Sequence, residues 1–290
     1  MTGARLRTMA PAGVARRARL GGLGDNRAVR LLAGIIPIVA FVAIWWVITA
    51  SLDRARVYPT PDIIWDEIVV ILGGSGETGS TYDHIVATLY RLVVAFAVSF
   101  VLGTAIGILA GRVRLAFSLV ENLVWVFMAV PSVVWVFLFA VAIGITDIVP
   151  IAAVSALLTP MIIVGVAEGA KSIPKDVLEM AESYKATTRQ RIKDIYLPFL
   201  VPYLASSART AFALGIKLIV VAEVIGLESG IGFEIKYWYG RLFMAPIVAW
   251  GIVMIVIGIT VDYTIFGPIE RRVSGWKGKP TAEAAVGGVG

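Results

Sequence analysis

The chain has 290 residues, of which 58% are hydrophobic and only 16% charged, with a mean hydropathy of +0.85. A soluble domain averages about 25% charged residues, so this composition excludes an ordinary soluble fold and points to a chain made for a membrane. Cysteine is absent, His84 is the single histidine and the net charge is +6, which excludes disulfides, thiol catalysis and a histidine metal cluster.

A basic excess in such a chain marks membrane-flanking loops rather than nucleic-acid binding. Seven arginines fall in the first thirty residues, a basic tail expected to be disordered or only partly ordered. The apolar stretch from Leu31 to Ser51 that follows is 21 residues long, more than a secretory signal core, and no clear small-residue cleavage site follows it. It reads as a retained first span, with Trp45 and Trp46 toward one interface. Next, TPDIIWDEIVVIL places Ile64, Ile68, Ile71 and Leu72 on one helix face, which predicts a short interfacial helix. The run GGSGETGS after it lacks the Gly-Lys-Ser/Thr of a phosphate loop and reads as a flexible linker.

Further apolar regions run from Ile85 to Gly111, Leu115 to Ile145, Ile148 to Gly169, Leu200 to Leu227 and Pro246 to Pro268. The predicted fold is an all-α membrane protein with six transmembrane helices, occupying residues 31–276 and followed by a flexible tail over 277–290. Gly103, Gly107 and Gly111 recur every fourth residue on one face and predict close helix contact. Pro131, with Ser132 beside it and Trp125 and Trp135 around it, predicts a break in the third region, either lining a cavity or as a packing kink. With the N-terminus inside, nineteen Lys and Arg lie on the inner side and four on the outer, so both termini are expected in the cytoplasm.

One polar interval stands out, KDVLEMAESYKATTRQRIKDIYLP from Lys175 to Pro198. Val177, Ala181 and Tyr184 share a helix face, and Pro174 sits where a helix starts without losing a hydrogen bond. Thr187 and Thr188 offer caps for a second short helix, Arg189 to Tyr196, and Pro198 predicts its end. A polar helix–turn–helix between membrane spans needs a surface to dock on.

Within it, Glu179, Ala181, Ile195, Leu197 and Pro198 fall at the spacings of Glu-Ala-Ala, three residues, Gly, nine residues, Ile-x-Leu-Pro. This resembles the EAA loop of the permease subunits of bacterial ATP-binding-cassette importers. The flanks TPDIIWDEI (60–68), TLYRLVVAF (88–96), GTAIGILAG (103–111), VPSVVWVFL (130–138), VAEVIGLESGIGFEI (221–235) and ERRVSGW (270–276) resemble the branch that handles nitrate, sulfonates, taurine and bicarbonate. The resemblance runs from about Leu31 to Trp276.

It implies a cytoplasmic coupling loop over residues 172–198, in which Val177, Glu179, Met180, Ala181, Tyr184, Lys185, Ile195, Leu197 and Pro198 meet a partner ATPase. It further implies an ATP-binding-cassette ATPase dimer carrying the ATP and Mg, an extracytoplasmic solute-binding protein, a second permease copy and a place in the cell inner membrane. No cofactor or metal falls to this chain and no enzyme activity is expected of it. Two positions depart from the pattern: Met180 replaces the middle Ala, and Lys185 stands at the Gly. If that Gly closes the first helix with positive φ, a Lys there costs about 1 kcal/mol. Otherwise the turn is built differently, or Ala186 and Thr187 absorb the change.

No GxxxxGK[ST], HExxH or catalytic triad pattern is present, so uphill transport would draw its energy from a partner or an ion gradient. Candidate residues for a translocation pathway are Arg91, Pro131, Ser132, Trp135, Arg209, Lys217 and Glu223, because charges and broken helices inside spans face bundle interiors or watery cavities. Arg209 reads first as snorkelling to the cytoplasmic interface. Lys217 either attracts an anionic solute or pairs with Glu223 of a second protomer or with Asp262. Arg91 and His84 also read as interfacial anchors. The rival function is a stand-alone secondary transporter or channel, which would show inverted repeats and paired intramembrane acids.

Overall fold

The computed structural model describes residues 27–52 and 54–274, and the chain divides after Ile64 into two compact units. The remaining parts of the basic tail and of the C-terminal tail lie outside the described residues. The first unit holds α1, Arg27–Ala50, with Pro37 inside it. Its apolar side chains from Ile35 to Ile48 stand exposed nearly all round, the pattern of a helix that belongs in hydrocarbon.

Helix α2, Pro61–Leu72, carries the chain across the division. Ile64 and Ile71 are buried, but Leu72, expected on the same face, is exposed. At 100° per residue Leu72 lies about 80° round the helix from Ile64, outside the buried stripe. The glycine-rich run is not a loose linker. Ser75–Gly76 (β1) and Gly79–Ser80 (β2) pair antiparallel in a two-residue hairpin, which positive φ at Gly74 (80°) and Gly79 (124°) permits. The Thr81 and Tyr82 hydroxyls tie it down by donating to the carbonyls of Ile71 (2.8 Å) and Leu72 (2.6 Å).

The second unit is built on three helices in contact: α3 (Thr81–Arg112), α6 (Ile148–Lys171) and α9 (Leu197–Gly226). Helices α3 and α6 run parallel, and the predicted glycine stripe is their seam. Gly103 meets Ile162, Gly107 meets Val166 and Gly111 meets Ala170, the partners advancing in step along both helices. A Cβ on Gly103 or Gly107 would come within 2.7 Å of its partner's side chain, so only glycine allows this approach. Helix α9 packs antiparallel on α6, with Gly165 against Ser207 and Gly169 against Tyr203. Leu92, Leu158, Ile162, Val166, Ala211 and Ile219 fill the space between the three.

Between α3 and α6 the chain passes through α4 (Arg114–Ala129) and α5 (Ser132–Ile143), which meet at 93° across Val130 and Pro131. After α6 come α7 (Lys175–Ser183) and α8 (Thr188–Gln190), then a π-helical stretch, Arg191–Tyr196, that runs directly into α9. The second short helix therefore does not end at Pro198. Pro198 sits in the first two residues of α9, and the π-helical stretch ahead of it absorbs the amide hydrogen bond a proline lacks. The result is one helical run from Thr188 to Gly226.

Helix α10 (Ile231–Gly240), α11 (Met244–Val261), a π-helical stretch Asp262–Phe266 and α12 (Gly267–Ser274) complete the described chain. By length and composition α3, α6 and the run 244–273 can each cross a membrane, and the two bent pairs raise the number to five. Together with α1, every apolar region read from the sequence is helical.

Candidate functional site

Helix α7 closes as the motif's glycine would have it close. Lys185 takes φ 54°, its N–H donates to the Glu182 carbonyl at 2.9 Å, and the Ala186 N–H reaches back to the Ala181 carbonyl at 2.9 Å. These are the two hydrogen bonds of a Schellman C-cap, held by a lysine at the cost of about 1 kcal/mol. Thr187 then opens α8 through a capping box: the Gln190 N–H donates to Thr187 Oγ1 at 3.4 Å, and the Thr187 N–H donates to Gln190 Oε1 at 2.8 Å. The turn is thus hydrogen-bonded on both sides, and the helix–turn–helix is a stiff piece.

Its apolar residues divide between two faces. Ala181 is buried, and Val177 and Ile195 are half-buried, turned toward the body of the protein. Tyr184 is 82% exposed, Met180 54% and Leu197 50%, while Glu179, Lys185 and Pro198 are also exposed. Met180 on α7 and Tyr184, the C-cap residue four positions on, form an exposed apolar pair inside a charged rim, the character of a protein-docking surface.

At the opposite end of the spans lies a buried polar cluster. Glu223 of α9, 0% exposed, accepts hydrogen bonds from Arg91 Nη1 (2.7 Å), Thr88 Oγ1 (2.9 Å) and the Gly232 N–H (3.0 Å). The carboxylate therefore sits at the N-terminus of α10, where the helix dipole favours negative charge. The Ile231 N–H donates to Thr88 Oγ1 at 2.8 Å, and the Gly230 N–H to His84 Nδ1 at 3.1 Å. His84 Nε2 lies 3.3 Å from Glu234 Oε1, and Glu234 also accepts from Thr78 Oγ1 and from Trp238 Nε1 at 3.1 Å. Arg91 continues to Asp147 (2.6 Å) and to the Ser229 carbonyl (2.9 Å). One network thus fastens the hairpin, the loop before α6 and the α9–α10 turn to α3. Gly230 (φ 107°) and Gly232 are required there, since a Cβ at either would strike Glu223.

A second ionic group ties α9 to the last helices. Arg209 binds Asp262 bidentately through Nε and Nη2, both at 2.7 Å, and Nη1 donates to Glu270. Lys217 is different: among the described residues it forms no ion pair. It lines a groove of about 430 Å³ between α9 and α11, walled mainly by apolar side chains such as Phe212, Ile216 and Met254. At the break, the Trp135 ring stacks on Phe127 at 4.5 Å, so the 93° bend is packed in place by an aromatic pair.

These features belong to a known kind of protein. Residues 103–275 match the family described as binding-protein-dependent transport system inner membrane component. The chain belongs to that family. The permease is 23% identical over 256 residues to the taurine transport system permease protein TauC of Escherichia coli (strain K12), covering 88% of this chain and 92% of that one. It is 27% identical over 258 residues to the nitrate import permease protein NrtB of Leptolyngbya laminosa, covering 88% and 91%. Among solved structures it shares its fold with the MetNI methionine ABC transporter in an inward-facing conformation (TM-score 0.57, 18% identity, 73% of this chain and 98% of that one). The permease is an integral inner-membrane subunit of an ATP-binding-cassette importer, and ATP hydrolysis belongs to a partner subunit.

The residues singled out in the permease sequence do not gather at one place. Arg91 and Glu223 pair with each other in the buried network, and His84 is buried beside them rather than anchored at an interface. Arg209 is held by two carboxylates. Among the described residues Lys217 does not pair with Asp262, which holds Arg209 instead. Thr88, Asp147, Ser229, Glu234 and Glu270 were missed. Each is an ordinary polar residue in sequence, and Arg91 and Glu223, which do stand out in apolar runs, lie 132 positions apart.

Proposed function

We propose that the permease acts as a homodimer with both termini in the cytoplasm, and that residues 172–198 are the element its ATPase moves. The carrying observation is the continuity of the lever. Exposed Met180 and Tyr184 sit on a capped helix that leads through a hydrogen-bonded turn into the unbroken run Thr188–Gly226. A push on α7 therefore reaches the opposite end of the spans, where Glu223 on the same run grips the α9–α10 turn. The lysine and arginine asymmetry supports the cytoplasmic placement of this loop, on the ATPase side.

The solute in this reading is a small anion of the nitrate, sulfonate or taurine class, delivered by an extracytoplasmic binding protein. The relatives' solutes support it, and so does Lys217, a cation with no ion pair among the described residues, on a mainly apolar groove that a second copy would help enclose. ATP-driven closure of the ATPases would bring the loops together and switch which side of the membrane the spans open to.

The test is co-purification of the ATPase with the tagged permease from its native membrane, beside Met180→Arg with Tyr184→Arg. Both side chains are exposed, so the exchange leaves the permease folded. Loss of the ATPase and of ATP hydrolysis from the double variant is the expected result. An ATPase that stays with the double variant, or a wild-type chain that moves solute alone in liposomes, removes the reading.

A further inference from the structure

A groove of about 800 Å³ opens where α3 and α6 end and α7 begins. Arg112, Lys171 and Lys175 line it, and no carboxylate does. Among the described residues none of the three forms an ion pair. Two are instead steadied by aromatic faces: Arg112 lies 4.0 Å from the Tyr196 ring centroid, and Lys171 lies 2.8 Å from that of Phe117.

The helix dipole accounts for part of this. Arg112 and Lys171 occupy the last turns of α3 and α6, where a cation is favoured. It does not account for Lys175, which opens α7 at the end where a cation is disfavoured. Three like charges on one groove without a counter-ion leave a positive site for an anion. The rest of the lining chooses the kind of anion. Ala110, Ala170, Ile173 and Leu178 form an apolar wall, at the level where two long apolar helices leave the hydrocarbon. A free inorganic ion has no use for that wall, whereas a lipid's glycerol and first acyl carbons fit it.

We propose that this groove seats the phosphate headgroup of an anionic phospholipid, gripped by Arg112, Lys171 and Lys175. The lipid would bridge the ends of α3 and α6 to the start of α7, so its occupancy would stiffen the base on which the helix–turn–helix stands.

The experiment is native mass spectrometry of the detergent-solubilised permease complex titrated with phosphatidylglycerol, phosphatidylcholine or inorganic phosphate. Lys171→Gln with Lys175→Gln is run beside wild type. A basic residue near the membrane contributes about fivefold in anionic-lipid affinity, so the double variant should hold phosphatidylglycerol roughly twenty-five-fold more weakly. Phosphatidylcholine binding should not change. Arg189→Gln with Lys193→Gln removes the same charge from the same loop outside the groove, and should bind phosphatidylglycerol as wild type does. Equal loss in both double variants overturns the proposal, as does phosphate displacing the lipid at millimolar concentration. Loss of the ATPase from Lys171→Gln with Lys175→Gln, with lipid retention intact, would assign the groove to the subunit interface and overturn it too.

Discussion

Glu223→Gln keeps the shape of the side chain and removes its charge at the point where three donors converge. Thr88 Oγ1 and the Gly232 N–H both donate to Oε2, at 2.9 and 3.0 Å, while Arg91 Nη1 donates to Oε1 at 2.7 Å. A glutamine has one acceptor oxygen, so either Arg91 or the Thr88–Gly232 pair faces an NH2 group. Hydrogen bonds to a charged group are worth about 1.5–3 kcal/mol each, and removing one partner of a buried ion pair costs about 3–5 kcal/mol. Arg91 keeps Asp147 and Ser229, which puts the expected loss at the lower end, about 3 kcal/mol. The assay is reversible unfolding of the purified permease titrated with SDS and followed by tryptophan fluorescence. Glu228→Gln, at an exposed position five residues on, should stay within about 0.5 kcal/mol of wild type. The double variant Arg91→Met, Glu223→Leu should lose less than the sum of the two single changes, because no uncompensated charge remains. A Glu223→Gln protein within 0.5 kcal/mol of wild type, or strictly additive single variants, would refute the clamp.

Gly107→Val would press a branched side chain into Val166 and the Ile163 carbonyl, already 2.7 and 2.9 Å from a bare Cβ, and should cost at least about 3 kcal/mol in the same titration. A stable variant would mean that α3 and α6 separate freely. Lys185→Gly should raise stability by about 1 kcal/mol, since φ is already 54°, whereas Lys185→Val should lower it; the reverse order would exclude the left-handed cap. Glu67, outside the spans, has its carboxyl raised above the usual value by burial first and then by the nearby Glu77 and Asp66 charges. Its folded form thus binds protons more readily than the unfolded chain, so stability should rise as pH falls from neutrality toward the ordinary carboxylate range, and Glu67→Gln should flatten that slope. An unchanged slope in the variant would assign it to other groups. Lys217→Gln should raise the apparent KM for an anionic solute about tenfold while the ATPase still co-purifies; an unchanged KM would take Lys217 out of the pathway.

The sequence by itself determined the membrane class, the helical regions, the glycine seam and the family. Each of these rests on local periodicity or short-range spacing: a run of apolar residues must bury its backbone polar groups in a helix, and glycine every fourth residue marks one face whatever lies against it. The helix–turn–helix was legible for the same reason, with its caps at Pro174 and Thr187. The end predicted at Pro198 was not observed, because proline disfavours an α-turn but is accommodated where π-helical bonds precede it. The glycine-rich hairpin likewise depends on Tyr82 and Thr81 folding back on α2, which composition does not reveal. Only the tertiary structure decided the partners of the intramembrane charges. Glu223 meets Arg91 across two helices, Arg209 meets Asp262 and Glu270 across another pair, and Lys217 is left without an ion pair among the described residues. Which charge neutralises which is set by helix packing over more than a hundred positions for Arg91 and Glu223, and no local pattern encodes it.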